Sequence, residues 1–420
     1  MIADNPALLT AIRDRFAHVD ACPFEGPRVF FENAGGALRL KSVIETSAVH
    51  AGYPDNQGRA NAASEALMAV IARGKADMRL FFNAGDAGEV FVGESGTEVL
   101  FRLVRTAALA APEGGVMLGS TLEHPATYGA MARWSDVTGR TFRRVAHDSL
   151  TGSVSPQDYS AAVTPDTRVV TIVHTSPVTG MAVDVPAIAA AVREVAPEAF
   201  IIVDGIQHAS HGAVDVVACH ADGYAVSPYK MFSRHGYGVG WASDRLTAAT
   251  KEQIIGGAPT TWELGTRDSG AYATFSDVVA YLDWLGGEAG ADEAATPRAR
   301  IEAAAAAIAG QEAVLLKAML HGYGNLPGLA QLPSVTLIGG DRVEGREGVI
   351  SLRLETMPSA ELVEHLRQRG IRVHIRKNDH YSGNVLEPLG MEDCIRVSVS
   401  HYNSLQEVAR FLGAMREATE

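Results

Sequence analysis

The middle of the chain alternates short apolar, β-branched runs with stretches whose apolar residues recur at helical spacing. The runs fall at 116–120, 169–176, 200–204, 223–227 and 238–242, with helical patterns between the earlier ones, as at 126–137 and 185–195. The runs are rich in apolar residues without strict alternation, which predicts strands buried on both faces rather than strands with one wet side. Strand–helix alternation of this kind predicts an α/β lobe, a mostly parallel sheet between helices. In such a sheet, ligands bind beyond the carboxyl ends of the strands, so the residues just after these runs are the first candidates for chemistry.

After residue 275 the pattern changes. Helix-rich sequence follows, including an alanine-rich stretch at 301–308. A strand pattern comes at 349–354, then a helix over 360–369 closed by Gly370, then strand patterns at 371–375 and 395–400. Ser404 and Glu407 have capping-box spacing ahead of a last helix. This predicts a smaller α+β lobe. At the other end, residues 1–16 mix Asp4, Arg13, Asp14 and Arg15 with apolar positions and predict an amphipathic helix. The expected organisation is an N-terminal helical segment over 1–29, a large domain over 30–275 and a small domain over 276–420. Two lobes suit 420 residues, more than one hydrophobic core usually serves.

A formal net charge of -13 argues against a nucleic-acid or anionic-membrane surface. No run of about 18 apolar residues is present, so no membrane span is expected. Three scattered cysteines, Cys22, Cys219 and Cys394, match neither a disulfide framework nor a zinc site, and a reducing, cytoplasmic setting is expected. No metal site is expected: His208 and His211 have HxxH spacing, but no third ligand is evident.

The strongest chemical signal lies between Ile201 and Phe232. One run delivers Asp204 at its end; the next delivers Ser227 and then Lys230. Alone, Asp204 reads as a helix cap and Lys230 as a surface lysine. Together they have the makings of a pyridoxal-phosphate site, where a carboxylate keeps the pyridine nitrogen protonated and a lysine forms the Schiff base and moves protons. The segment resembles class V aminotransferases, in particular the cysteine desulfurase and selenocysteine lyase branch. The family's D-G-A-Q appears as Asp204-Gly205-Ile206-Gln207, and its S-G-H-K as Ser227-Pro228-Tyr229-Lys230.

That resemblance implies the pyridoxal-phosphate transferase fold of type I and pyridoxal 5'-phosphate as cofactor. It implies that Asp204 meets the ring nitrogen, Gln207 the ring hydroxyl and Ser227 the phosphate, with Tyr229 in place of a phosphate-binding histidine. Ser95-Gly96-Thr97-Glu98 resembles the family's G-T-T-E turn, which places Gly96 and Thr97 at the phosphate. Glu123-His124-Pro125-Ala126 resembles E-H-N-A, which places His124 against the ring. Gly265-Thr266 resembles the G-T-P segment, whose threonine reaches the partner subunit's phosphate and implies a homodimer. The stretch from Phe31 to Gly36 resembles one near the substrate, which makes Asn33 a candidate contact. Arg396 stands where the family clamps the carboxylate of a small amino-acid substrate, a task that suits a guanidinium fork.

The resemblance breaks where desulfurases carry a cysteine nucleophile, about fifteen residues before that arginine. Here the stretch 376–383 reads RKNDHYSG, with Tyr381 at the expected place and no cysteine. Desulfurase-like proteins that lack the cysteine and carry S-P-Y-K are the nearest match. The expected function is a lyase acting by β- or γ-elimination, with His380 or Tyr381 protonating the leaving group. Transamination and epimerisation use the same Lys230 and Asp204 and stay open, as does a non-catalytic regulator on the same fold.

Overall fold

The computed structural model describes residues 2–249, 254–256, 262–292 and 294–420. Its large lobe is built on a seven-stranded sheet. In chain order the strands are β1 (Glu89–Gly93), β2 (Val116–Ser120), β3 (Thr141–Val145), β4 (Thr167–Val173), β5 (Phe200–Asp204), β6 (Gly223–Val226) and β7 (Gly238–Ala242). The spatial order is β1-β7-β6-β5-β4-β2-β3. Strands β6, β5, β4, β2 and β3 run parallel, and β7 runs antiparallel to both its neighbours. All five expected runs are strands, and β2, β5, β6 and β7 are buried at every position. The 169–176 run starts earlier than its pattern and stops at Val173, where Thr175 bridges to Ala182.

Two strands of this sheet escaped the sequence pattern. Strand β3 reads TFRRV and is largely exposed, as an edge strand can be when charged side chains protect it. Strand β1 is short and occupies the opposite edge beside β7.

The small lobe holds a four-stranded antiparallel sheet of β8 (Val335–Leu337), β9 (Val349–Leu354), β10 (His374–Lys377) and β11 (Asp393–Ser398), ordered β8-β9-β11-β10. The single strand expected at 371–375 is divided between two partners. Ile371–Arg372 pairs in parallel with Val29–Phe30, whereas β10 pairs with β11. That change of partner sets His374 opposite Arg396 and Arg376 opposite Cys394.

The N-terminal helix is shorter than expected, Pro6–Arg13, with Asn5 accepting from Leu8 N at 3.1 Å. A short 3-10 helix, Ile2–Asp4, precedes it, and after it Ala21–Cys22 and Gly26–Pro27 form a small antiparallel ladder. Residue 275 falls inside the helix Ser269–Glu288, whose buried face joins the large-lobe core. The hand-over between lobes lies in the next helix, Pro297–His321. Its Ile301, Ala304 and Ile308 pack into the large-lobe core, and Leu315, Leu316 and Leu320 into the small-lobe core. By length and composition that helix has the apolarity of a membrane span, contrary to expectation. Here it is a core helix, and its buried face carries Gln311 and Glu312.

Candidate active site at the strand ends

Asp204 closes β5 and is 2% exposed. Thr127 Oγ1 donates to its Oδ2 at 2.8 Å and the Ile206 N–H to its Oδ1 at 3.1 Å. Burial raises its pKa, while those two donors and the nearby Lys230 oppose the rise. Lys230 follows β6 on a short turn begun by Ser227 and Pro228, and its Nζ donates to Gln207 Oε1 at 3.2 Å. Burial, reinforced by Arg396, brings its pKa down to about 7, against the pull of Asp204. Asp204, Gln207 and Lys230 wall one cavity together with His124, Val173, Thr175, Pro177 and Ile206.

His124 precedes Pro125 at the start of the helix Pro125–Val137, and its Nδ1 accepts from Ala126 N at 3.1 Å. This contact fixes the ring against the cavity and puts any proton of the neutral imidazole on Nε2. Burial, with Lys230, Arg376 and Arg396 nearby, lowers its pKa to about 3, so the ring is neutral.

The chain is cut back to glycine where the phosphate is expected. A Cβ at Gly96 would stand 2.1 Å from Ser227 Oγ and 2.7 Å from Ile206 Cδ1. One at Gly238 would stand 2.3 Å from the Ser95 carbonyl carbon. The amino end of the helix Gly96–Ala110 is therefore pressed against Ser227, with Ser95 Oγ capping Glu98 N at 3.1 Å and Thr97 exposed. Free N–H groups at such an end attract a dianion. Tyr229 stacks on His235 at 4.3 Å and packs under Gly36.

Arg396 enters from β11. It is 3% exposed, its Nη1 donates to Pro177 O at 2.8 Å, and its Nε has no hydrogen-bond partner among the described residues. Burial and the neighbouring Arg376 bring its pKa down to about 9. A buried guanidinium with a donor to spare and a second cation beside it favours an anionic ligand.

The structure redistributes some expected roles. Asn33 does not offer its amide to a substrate: Nδ2 donates to Ser398 O at 2.8 Å, and Oδ1 accepts from Tyr402. It ties the N-terminal turn to the small lobe. The neighbours of Arg396 on this turn are Glu32 and Gly35, the latter with its Cβ direction 3.6 Å from Arg396 Nη2. His380 and Tyr381 are exposed and pack on each other at 4.0 Å, outside the wall around Lys230. Their loop is tied down. Arg376 Nε donates to Ser382 Oγ at 2.7 Å, and Asn384 Nδ2 donates to Thr121 O and Glu123 O at 2.8 and 2.7 Å. Thr266 is exposed on the loop ahead of the helix Ser269–Glu288.

Sequence reasoning missed Thr127, Glu32, Arg376 and Glu123. Glu123 is 1% exposed, and burial, reinforced by Asp204, raises its pKa to about 8 against the nearby donors of Ser120, Thr171 and Val173. Three of these residues lie inside stretches singled out for their neighbours, and Thr127 follows His124 by one helical turn. Only folding shows which way they face.

A carboxyl at a strand end, a half-neutral buried lysine, a glycine-lined helix start and an anion-seeking arginine fit the parts of pyridoxal phosphate and of an amino acid. The aminotransferase class-V profile matches residues 29–411. A cysteine desulfurase of Synechococcus elongatus is 26% identical over 93% of this chain, which spans 60% of that relative's length. A probable cysteine desulfurase of Vibrio cholerae is 24% identical over 98% of both chains. The apo cysteine desulfurase of Thermococcus onnurineus has the same fold, with a TM-score of 0.80 at 20% identity over 93% of this chain and 94% of its own. With the family profile covering nearly the whole of both lobes, the chain belongs to the class-V aminotransferases, a pyridoxal-phosphate-dependent family, in its cysteine desulfurase-like part.

Proposed function

We propose that this protein is a lyase that eliminates a group from a small amino acid without a thiol nucleophile. The observation that carries the reading is Tyr381, which stands on a tied loop where a desulfurase-like frame calls for a mobile cysteine. The cysteines do not replace it. Cys394 and Cys219 are buried, and burial pushes each thiol up to about 12. A thiolate, not a thiol, attacks sulfur. Cys22, whose pKa is lowered by the N–H groups of Phe24 and Glu25, lines a surface groove with Arg28, Arg372 and His374, away from the Lys230 wall.

Pyridoxal phosphate, when bound, supplies a sink for the negative charge that develops at the substrate α-carbon. The chain's own residues do the rest. Asp204, held by Thr127 and Ile206 N–H, faces the ring nitrogen with a carboxylate. Ser227 and the start of the helix Gly96–Ala110 hold the phosphate, with Thr97 and Tyr229 beside them. His124 lies against the ring as a neutral imidazole and adds no competing charge. Arg396 binds the substrate carboxylate. Lys230 Nζ, with a pKa brought down to about 7, takes the α-proton near neutral pH. Tyr381 or His380 reaches the leaving group only if the loop turns inward on substrate. Thr266 reaches the phosphate of a second subunit, which makes the working unit a homodimer.

A panel of small amino acids tests this. Release of pyruvate, 2-oxobutyrate, alanine or ammonia is expected from at least one; none from any overturns the reading. Amino transfer to an added keto acid marks transamination instead.

A further inference from the structure

Behind Lys230 a line of hydrogen bonds runs into the core. Lys230 Nζ donates to Gln207 Oε1 at 3.2 Å, Gln207 Nε2 meets His211 Nε2 at 3.1 Å, and His211 Nδ1 meets Glu312 Oε2 at 2.8 Å. His211 and Glu312 side chains are each only 3% exposed. Glu312 comes from the long helix Pro297–His321, which joins the two cores. Burying such a pair costs the hydration of both groups, offset by their mutual attraction and hydrogen bonds.

We propose that the His211–Glu312 pair is a positioning device for the Gln207 amide and, through it, for the cofactor's ring hydroxyl, with the proton on His211 Nε2 deciding which end of the amide faces Lys230. The inference rests on the reading that Gln207 meets that hydroxyl. With Nδ1–H given to Glu312, a neutral His211 offers only a lone pair at Nε2, so Gln207 must present its NH2 there and its carbonyl to Lys230. That is the arrangement observed, and it suits a free lysine, which is a donor. A protonated His211 offers an Nε2–H instead. Gln207 then turns its carbonyl to His211 and its NH2 toward the cofactor, where an ionised ring hydroxyl accepts.

Glu312 and Glu347 pull toward the second state, and burial and Lys230 toward the first. Burial by itself lowers the His211 pKa, but the hydrogen bond of Glu312 and its charge when ionised, helped by Glu347, raise it above its usual value; burial also raises the Glu312 pKa, against the pull of His211. Lys230 opposes the rise at His211, and His401 also faces the ring, as a neutral imidazole.

The experiment uses the full chain reconstituted with pyridoxal phosphate, as wild type, Glu312→Gln and His211→Asn. It reads the dissociation constant of the cofactor and the pH midpoint of its visible absorption band, with circular dichroism as the folding control. Both variants are expected to hold the cofactor about tenfold less tightly, the size of one lost charge-assisted hydrogen bond. The midpoint should move by roughly one pH unit in both. Wild-type affinity and midpoint in folded Glu312→Gln overturn the inference, whether or not His211→Asn folds. Failure of the underlying reading looks different: the wild type then shows no visible band, or Lys230→Ala retains it.

Discussion

Thr127 Oγ1 donates a 2.8 Å hydrogen bond to Oδ2 of Asp204, although the two residues come from different helix–strand units of the sheet. Asp204 is placed by the end of β5, Thr127 by the first turn of the helix that His124 opens. The bond favours the ionised carboxyl against the burial that disfavours it. Thr127→Val keeps the shape and removes the donor. The variant is expected to lose about 1–3 kcal/mol of stability or cofactor binding, read as a lower Tm and a higher cofactor dissociation constant. Unchanged values in both would show that the bond does not support Asp204.

Lys230→Ala is expected to abolish the visible band of the bound cofactor and to lower turnover at least about a thousandfold, the scale of removing a covalent and proton-transfer group. Retention of full biological activity by this variant would favour a regulator over an enzyme.

Arg396→Ala removes a charged hydrogen-bond donor from the substrate carboxylate. KM should rise about ten- to a hundredfold. Arg396 is also one of the groups that hold the Lys230 pKa low, so its loss moves that pKa upward. A base must be neutral to act. The acid limb of the pH–rate profile should therefore shift to higher pH in the variant, and an unmoved limb would count against Lys230 as the base.

Cys22→Ala and Cys394→Ala are each expected to leave turnover within about twofold of wild type, since neither thiol is needed; Cys394→Ala should cost a little stability through its buried cavity. A collapse of turnover in folded Cys22→Ala or Cys394→Ala would restore a thiol mechanism.

Glu123 predicts a pH effect on stability. Its folded pKa, about 8, lies above the ordinary carboxyl value of 4.5 expected when the chain unfolds. Below 4.5 both states are protonated, and the group has no effect. As pH rises from there toward 8, the unfolded chain ionises first, so the folded state loses stability; above 8 the loss levels off. Glu123→Gln should therefore raise Tm relative to wild type at pH 8 and lose that advantage near pH 4. Equal Tm differences at both pH values would mean that Glu123 is not held neutral.

The large sheet's core and the residues at its strand ends were legible in the order of residues. Runs apolar on both faces have few other places to go, and Asp204 and Lys230 follow such runs directly. The capping box at Ser404 and Glu407 was equally local and is present. Patterning was blind to β3, whose arginines face solvent at an edge, and to the split between Ile371–Arg372 and β10, because a change of partner leaves no trace in periodicity. Tertiary structure alone decided the rest. It turned Asn33 inward as a tie, set Thr127 on Asp204, brought Arg376 beside Arg396, and left Tyr381 outside the Lys230 wall. These placements depend on how elements pack against one another, and side-chain direction across such packing is not set by the order of residues.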